Sequence, residues 1–448
     1  MVSWGFQKQQ YTQQGSIVGK VRFICGARKV LATACLIALA ACQRGDGGAP
    51  AAPIPQTTIT ALVWAPDWPD AMHKVAAEFT RLNPDVRVNV QFMIGNSVEE
   101  NIKPKVAARN LPALMSVNPN PYAAALAEQG VLADLGHTAA WGKLLPGLKS
   151  DWMTQNGKRF GIAGGVAATL MYYNKAMFAQ AGIARPPTNF SEFLDACQRL
   201  RQAGFTPIVW NGGFPNILAN GPFSFGFANN VIARTPDWKA RIANGSLNLD
   251  TTRGADIFAK IKLVAQRGFV QPGFMNTGYD EGVTMFTEGK VAMAFQGTWA
   301  AGRMMHGSGF QTGVFLPPWN DSGAAAVPVI GSETGFAVCE TAHKEAAIRF
   351  LEFIMGAGFP IQQRQRQNIA PFAPAPGAPA GDPQIAAYLD AVGRAPVTGS
   401  PYYSMLPANT IDMLHPLIQD VLVGTVSPRQ AAHRLDASLR DEATRNYK

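Results

Sequence analysis

The sequence predicts an α/β chain folded as two lobes, and three observations carry that expectation. A strand–helix–strand period opens the body of the chain. The same grammar returns in its middle third, and about 400 residues follow the N-terminal segment, too many for one hydrophobic core. No internal repeat or heptad stands out, and the biased stretches are two Pro/Ala-rich segments at 49–55 and 371–383.

The elements follow in order. Thr58 to Trp64 is an apolar-rich run of strand length. Pro69 opens a helix in which Met72, Val75, Ala76, Phe79 and Leu82 recur at helical spacing, and Pro84 stops it. Val86, Val88, Val90 and Phe92 then alternate with polar residues, which reads as a strand, and Ala113 to Val117 reads as another. Asn174 caps a short helix ending before Gly182, and Pro186-Pro187 breaks the chain. Asn189 with Glu192 forms a capping-box pattern for a helix to Arg201 that Gly204 closes, and Phe205 to Trp210 is a strand. A helix from about Thr251 to Arg267 places Ile257, Ile261 and Val264 on one face, and Val291 to Phe295 is a buried strand. The C-terminal third is mostly helical, and its last helix starts at Ser427-Pro428 with Gln430 in the capping-box position.

Residues 1–29 carry Lys8, Lys20, Arg22, Arg28 and Lys29 and no acid, and an apolar run follows from Val30 to Ala41. That run is shorter than the ~20 residues needed to span a bilayer but suits the core of an export signal. It ends in Leu39, Ala40, Ala41 and Cys42, a pattern that resembles the lipobox of bacterial lipoproteins, in which the cysteine becomes the acylated first residue. A non-lipidated signal with a chance cysteine is the alternative. The expectation is a signal peptide over 1–41 and a lipidated Cys42 with a tether over 42–56, giving a membrane-anchored protein of the periplasm or cell surface. The basic segment is long, and a start at Val18 or Val21 would give a more ordinary length.

The formal charge of +9 weakens once this segment is set aside. Five of 39 Lys and Arg precede Cys42, leaving an excess of four over the 30 acids with no basic run, so nucleic acid is not an expected partner. Cys197 and Cys339 are the cysteines left in the folded body and are expected as buried thiols. The six histidines show no ligand spacing, so a metal site is not expected, and no cofactor is expected either.

Four stretches carry a family resemblance. They are Thr60–Trp64 with Glu78, Phe79 and Asn83–Val88; Leu170–Lys175 with Phe178, Ala181–Ile183 and Pro186–Thr188; Phe286–Met293 with Gly297 and Trp299; and Leu422–Ser427 with Ala431 and Leu435. In this order they resemble family 1 of the bacterial extracellular solute-binding proteins, the sugar receptors of ABC importers. One departure stands out, since Pro112 is followed by Ala113 where the family usually has aspartate. The resemblance implies a two-lobed periplasmic-binding-protein fold of type II, with parallel-rich mixed sheets flanked by helices and a ligand cleft between the lobes. It further implies a monomer that closes on a small molecule, such as a mono- or oligosaccharide, and docks on the permease subunits. The expected lobes are 57–168 plus 299–355, and 169–298 plus 356–448.

A sugar presents hydroxyls that need oriented donors and acceptors, and C–H faces that pack on rings. Its cleft should combine aromatic and polar side chains at strand ends. Trp64, Asp67 and Trp68 follow the first strand and are expected at the ligand, with packing of Trp64 and capping by Asp67 as the alternative. Asn118 follows the strand 113–117, where an Asn-Pro turn is an equal reading. Trp210 and Asn211 end the strand 205–210, and for Trp210 core packing stands level with ligand contact. Trp299 follows a strand and Gly297, and the resemblance places a stacking aromatic in this loop. Glu333 precedes the strand 335–338 and is expected to accept hydroxyls or to cap a turn. Tyr279-Asp280, read first as a helix start, and Gln296 and Arg303 are weaker candidates; Tyr172 and Tyr173 read equally well as hinge packing.

Asp67 and Glu333 would have to face one another ~5–9 Å apart to act as a glycosidase pair, a distance a sequence does not give. No Gly-x-Ser-x-Gly, HExxH or P-loop pattern is present, and the expectation is a receptor, not an enzyme. A receptor for another polar solute, such as a phosphorylated polyol or a polyamine, is the alternative within the same fold.

Overall fold

The computed structural model describes residues 56–95, 97–366, 369–373 and 382–446. The expected signal segment, Cys42 and the tether up to 55 lie outside the described residues. Nine strands form two sheets among the described residues. The first sheet contains β1 (Thr57–Val63), β2 (Val86–Phe92) and β3 (Leu114–Val117), all parallel, in the order β2-β1-β3. The second contains β4 (Val166–Asn174), β5 (Thr206–Val209), β6 (Val291–Gly297) and β7 (Thr312–Phe315) in the order β5-β6-β4-β7. β8 (Ile330–Ser332) pairs with the start of β4, and β9 (Gly335–Val338) returns antiparallel beside β3.

The helix Pro69–Leu82 shows why these residues take these elements. Proline at its first position loses no hydrogen bond there, and Met72, Val75, Ala76 and Phe79 are buried against the first sheet's core. Asn83 ends it with its N–H on Phe79 O, and Pro84 cannot continue it. Leu82, expected on the buried stripe, is 51% exposed at the last position of the helix. The capping predicted at Asn174, Asn189 and Ser427 is present, each side chain accepting a backbone N–H of the following turn. Cys197 and Cys339 are buried free thiols.

Two hydrophobic cores, one per sheet, define the lobes. Their boundaries differ from those expected. Residues 299–329 belong to the second lobe, not the first, since Ala300, Met304, Phe315, Trp319 and Val329 pack in its core. The reason is the pairing: β6 and β7 both lie beside β4, so the chain stays in the second sheet until β8 carries it back. The helix Phe359–Arg366, expected in the second lobe, lies on Pro69–Leu82 of the first, and Phe372 packs on the first core. The second lobe resumes with the helix Pro383–Gly393.

The crossing strands are close-packed. A Cβ on Gly164 would sit 2.4 Å from Thr334 O, and one on Gly335 would sit 2.1 Å from Ile162 O, so bare backbone is required at both. Backbone bonds from Ile162 N to Phe336 O and from Glu333 N to Gly165 O join the two crossings.

Candidate functional site

A cleft with 720 Å³ of empty space, its open mouth included, runs between the lobes. Its first-lobe wall is built where β1, β2 and β3 end and β9 begins: Trp64, Asp67 and Trp68; Ser97 and Val98; Asn118; Glu333 and Thr334. Parallel strands leave such a crevice at their C-terminal ends, which is why these loops meet there. The second-lobe wall comes from the segment after β5 (Phe214, Asn216, Ile217, Asn220), from Tyr279, from Trp299 just after β6, and from Tyr402 and Tyr403. Arg366 closes the floor.

Asp67 is the polar centre of one rim. Tyr279 donates its hydroxyl to Asp67 Oδ2 at 2.6 Å, and Arg303 donates to Oδ1 at 3.1 Å while also reaching Asp280 at 2.7 Å. Both donors belong to the second lobe, so this carboxylate ties the lobes together. Burial pushes the Asp67 carboxyl up to about 6, against the pull of Tyr279 and Arg303. On the far rim Lys103 and Asp412 pair across the lobes.

Glu333 and Arg366 form a buried ion pair in the floor, 4% and 3% exposed. The guanidinium also donates to Gly164 O at 3.2 Å and Gln362 Oε1 at 2.8 Å, and it lies 4.3 Å above the centre of the Trp68 ring. Trp68 is thus held flat by a cation on one face. Asn118 is fixed at both ends: it donates to Glu99 Oε1 at 3.0 Å and accepts from the Thr334 hydroxyl at 2.7 Å. Glu99 also takes the Asn120 amide at 2.7 Å, and burial raises its carboxyl above the usual range. On the opposite wall Phe214 meets Tyr279 edge-on with centroids 5.3 Å apart, and the Trp299 ring lies over Gly297, where a Cβ would collide with it at 2.1 Å.

Six of the eight predicted ligand residues therefore meet in one place: Trp64, Asp67, Trp68, Asn118, Trp299 and Glu333. Trp210 and Asn211 do not. Trp210 is 1% exposed in the second core, and Gln271 clamps its backbone by accepting from Trp210 N at 3.0 Å and donating to Trp210 O at 2.7 Å. Asn211 donates to Gly278 O at 2.6 Å, pinning the start of the helix Tyr279–Thr287 and so the position of Tyr279. The correction has a simple cause: the chain runs on past β5, and the cleft is met four to ten residues later.

Gln296 is buried in β6, and Tyr172 donates its hydroxyl to Gly297 O at 3.1 Å from the interior. Tyr279 and Arg303 prove central to the rim. Arg366, Tyr402, Tyr403, Asn216 and Asn220 were not anticipated. A signal existed for the asparagines, two amides at i, i+4 inside the apolar run Phe214–Phe227, where nothing but a cleft or a partner would satisfy them. Asn220 lies in a π-helical turn, Ala219–Phe223, a local geometry frequent at functional sites. Among the described residues no group of three or more His, Cys, Asp or Glu could hold a metal ion, and no helix is long and apolar enough to cross a membrane.

Comparison with known proteins follows the same lines. The family model described as "Bacterial extracellular solute-binding protein" matches residues 65–358. A "Probable sugar-binding periplasmic protein" of Brucella melitensis is 28% identical over 191 residues, 40% of this chain and 42% of that protein, so the match spans less than half of that relative's length. The "Lactose-binding protein" of Rhizobium radiobacter is 23% identical over 68% of this chain and 72% of that one. Among solved structures, the "SBP RafE in complex with raffinose" superposes with a TM-score of 0.72 at 18% identity, covering 87% of this chain and 100% of that chain. A "Chitin oligosaccharide binding protein" gives 0.75 at 20% identity, covering 87% and 99%. With two lobes, a cleft at the strand ends and a match over most of its length, the chain belongs to the family of bacterial extracellular solute-binding proteins.

Proposed function

We propose that this chain is the extracytoplasmic receptor of an ABC importer and that it binds a sugar, a mono- or oligosaccharide, between its lobes. The observation that carries this reading is the make-up of the cleft. Trp64, Trp68 and Trp299 offer ring faces for sugar C–H surfaces, and Asn118, Asn216, Asn220 and Glu333 offer hydrogen bonds to hydroxyls. The named ligands of relatives, lactose, raffinose and chitin oligosaccharide, are of this class. Each lobe supplies one wall, so a ligand touching both stabilises the closed arrangement, which is the signal a permease reads.

Both carboxylates of the glycosidase alternative are held by cations, Asp67 by Arg303 and Glu333 by Arg366, which favours binding over acid–base chemistry. Lipidation of Cys42 would hold the receptor at the membrane. The test is a thermal-shift and calorimetry screen with lactose, raffinose, chitin oligosaccharides, polyols and polyamines. A sugar at one hundred times its Kd stabilises the fold by about 2.7 kcal/mol. Stabilisation by a polyamine or phosphorylated polyol alone would move the reading to another polar solute, and hydrolysis of an oligosaccharide would overturn it.

A further inference from the structure

We infer that Asn220, Asn216, Tyr402 and His415 form a one-way hydrogen-bond relay, directed by His415, that presents Asn220 Oδ1 to the cleft as an acceptor for a ligand hydroxyl. The part concerning the ligand rests on the sugar-receptor reading. The geometry is a continuous chain. Asn220 Nδ2 donates to Asn216 Oδ1 at 2.8 Å, Asn216 Nδ2 donates to the Tyr402 hydroxyl at 2.9 Å, and that hydroxyl lies 3.0 Å from His415 Nε2.

The direction follows from counting protons. A phenol has one proton to give. Having accepted from Asn216, Tyr402 is free to give its own to His415, and in the inferred relay it does so, which makes Nε2 the bare nitrogen of the imidazole. A neutral ring in that role carries its proton on Nδ1. Burial holds His415 down at about 4, outweighing the opposite pull of Asp412, so the ring is neutral at ordinary pH. Burial likewise keeps the Tyr402 phenol protonated. Three of the four side chains are enclosed, with Asn220 4%, Tyr402 1% and His415 6% exposed, and Asn216 between them is half-buried.

At its open end the relay is unspent. Asn220 lines the cleft, and its Oδ1 is buried with no hydrogen-bond partner among the described residues. Were Nε2 the protonated nitrogen, with Tyr402 giving its proton back to Asn216, each amide would turn over and Asn220 would show its NH2 group instead. The tautomer of a histidine behind the wall thus decides whether this position selects a donor or an acceptor. A site built this way rejects an analogue lacking the hydroxyl, because the oriented acceptor is left unpaired. His415 is a positioning residue, since it acts through Tyr402 and does not line the cleft.

The relay is tested first without ligand. Nitrogen-15 NMR of the histidine-labelled protein at pH 7, with the His415 signals assigned by their loss in His415→Gln, should show the Nδ1–H tautomer. A Nε2–H tautomer overturns the inference. Lactose, raffinose and chitin oligosaccharide are then titrated by calorimetry. With a sugar that binds, Asn220→Ala should weaken affinity about tenfold, the worth of one hydrogen bond. His415→Leu should weaken it to a similar degree, whereas His415→Gln, whose Oε1 can accept from Tyr402, should restore it. Wild-type affinity in His415→Leu overturns the directing role. If none of these sugars binds, the sugar reading fails, and the tautomer still decides whether the relay exists.

Discussion

Replacing Arg366 with alanine removes the cation from a buried pair and leaves the Glu333 carboxylate in the cleft floor. Neither side chain is more than 4% exposed, so solvent does little to compensate. Breaking such a pair costs about 3–5 kcal/mol. The bonds to Gly164 O and Gln362 Oε1 and the stacking on Trp68 go with it. A loss on the order of 4 kcal/mol corresponds to a melting temperature lower by roughly 10 °C for a lobe of this size. The double variant Glu333→Gln with Arg366→Met keeps similar volume and buries no charge, so it should recover more than half of the loss. Urea unfolding followed by tryptophan fluorescence measures both, because Trp68 and Trp152 lie in the first core. A single variant that loses less than about 1 kcal/mol, or a double variant no better than the single, would refute the reasoning that taking the cation from this buried carboxylate dominates the cost. Both variants should bind ligand more weakly, since both residues line the cleft.

Asp67 carries a pH dependence whose sign follows from its raised carboxyl, 3.8 in the free group and about 6 in the folded protein. The folded state holds that proton more tightly than the unfolded chain. The contribution is therefore full below about pH 4 and is lost as pH rises through about 6, on the order of 3 kcal/mol in all. Asp67→Asn should remove it, so wild-type stability minus that of the variant should be larger at pH 4 than at pH 7; an identical difference at both refutes it. Trp299→Ala should weaken sugar binding by about tenfold or more with the melting transition retained, and an unchanged Kd by calorimetry would take the ring out of the site. Gly335→Ala should lower the melting temperature by several degrees, because its methyl group would meet Ile162 O at 2.1 Å; an unaffected melt would show that the crossing strands yield. Cys42→Ser should leave binding intact and release the exported protein from membranes, and persistence in the membrane pellet would count against lipidation.

Local pattern determined a great deal of this protein. The α/β class, the strand–helix–strand opening, the caps at Asn174, Asn189 and Ser427 and the loops holding Trp64, Asp67, Trp68, Asn118, Trp299 and Glu333 were all legible along the chain. Periodicity, capping and strand ends are properties of a few neighbouring residues, so a sequence displays them directly. Which lobe a segment joins, and what faces what across the gap, was decided by packing. Asp67 finds Tyr279 212 positions away, and Arg366 reaches Gly164 across 202. Trp210 shares the type and strand-end setting of Trp299, yet it is buried because the chain beyond β5 runs on to Phe214 and Asn220 before it meets the cleft. Tyr402 enters the site from the last part of the chain, with His415 behind it, through hydrogen bonds that no spacing announces. Contacts of that kind form only when the sheets and their helices are stacked, and the free energy that selects them is a property of the assembled cores.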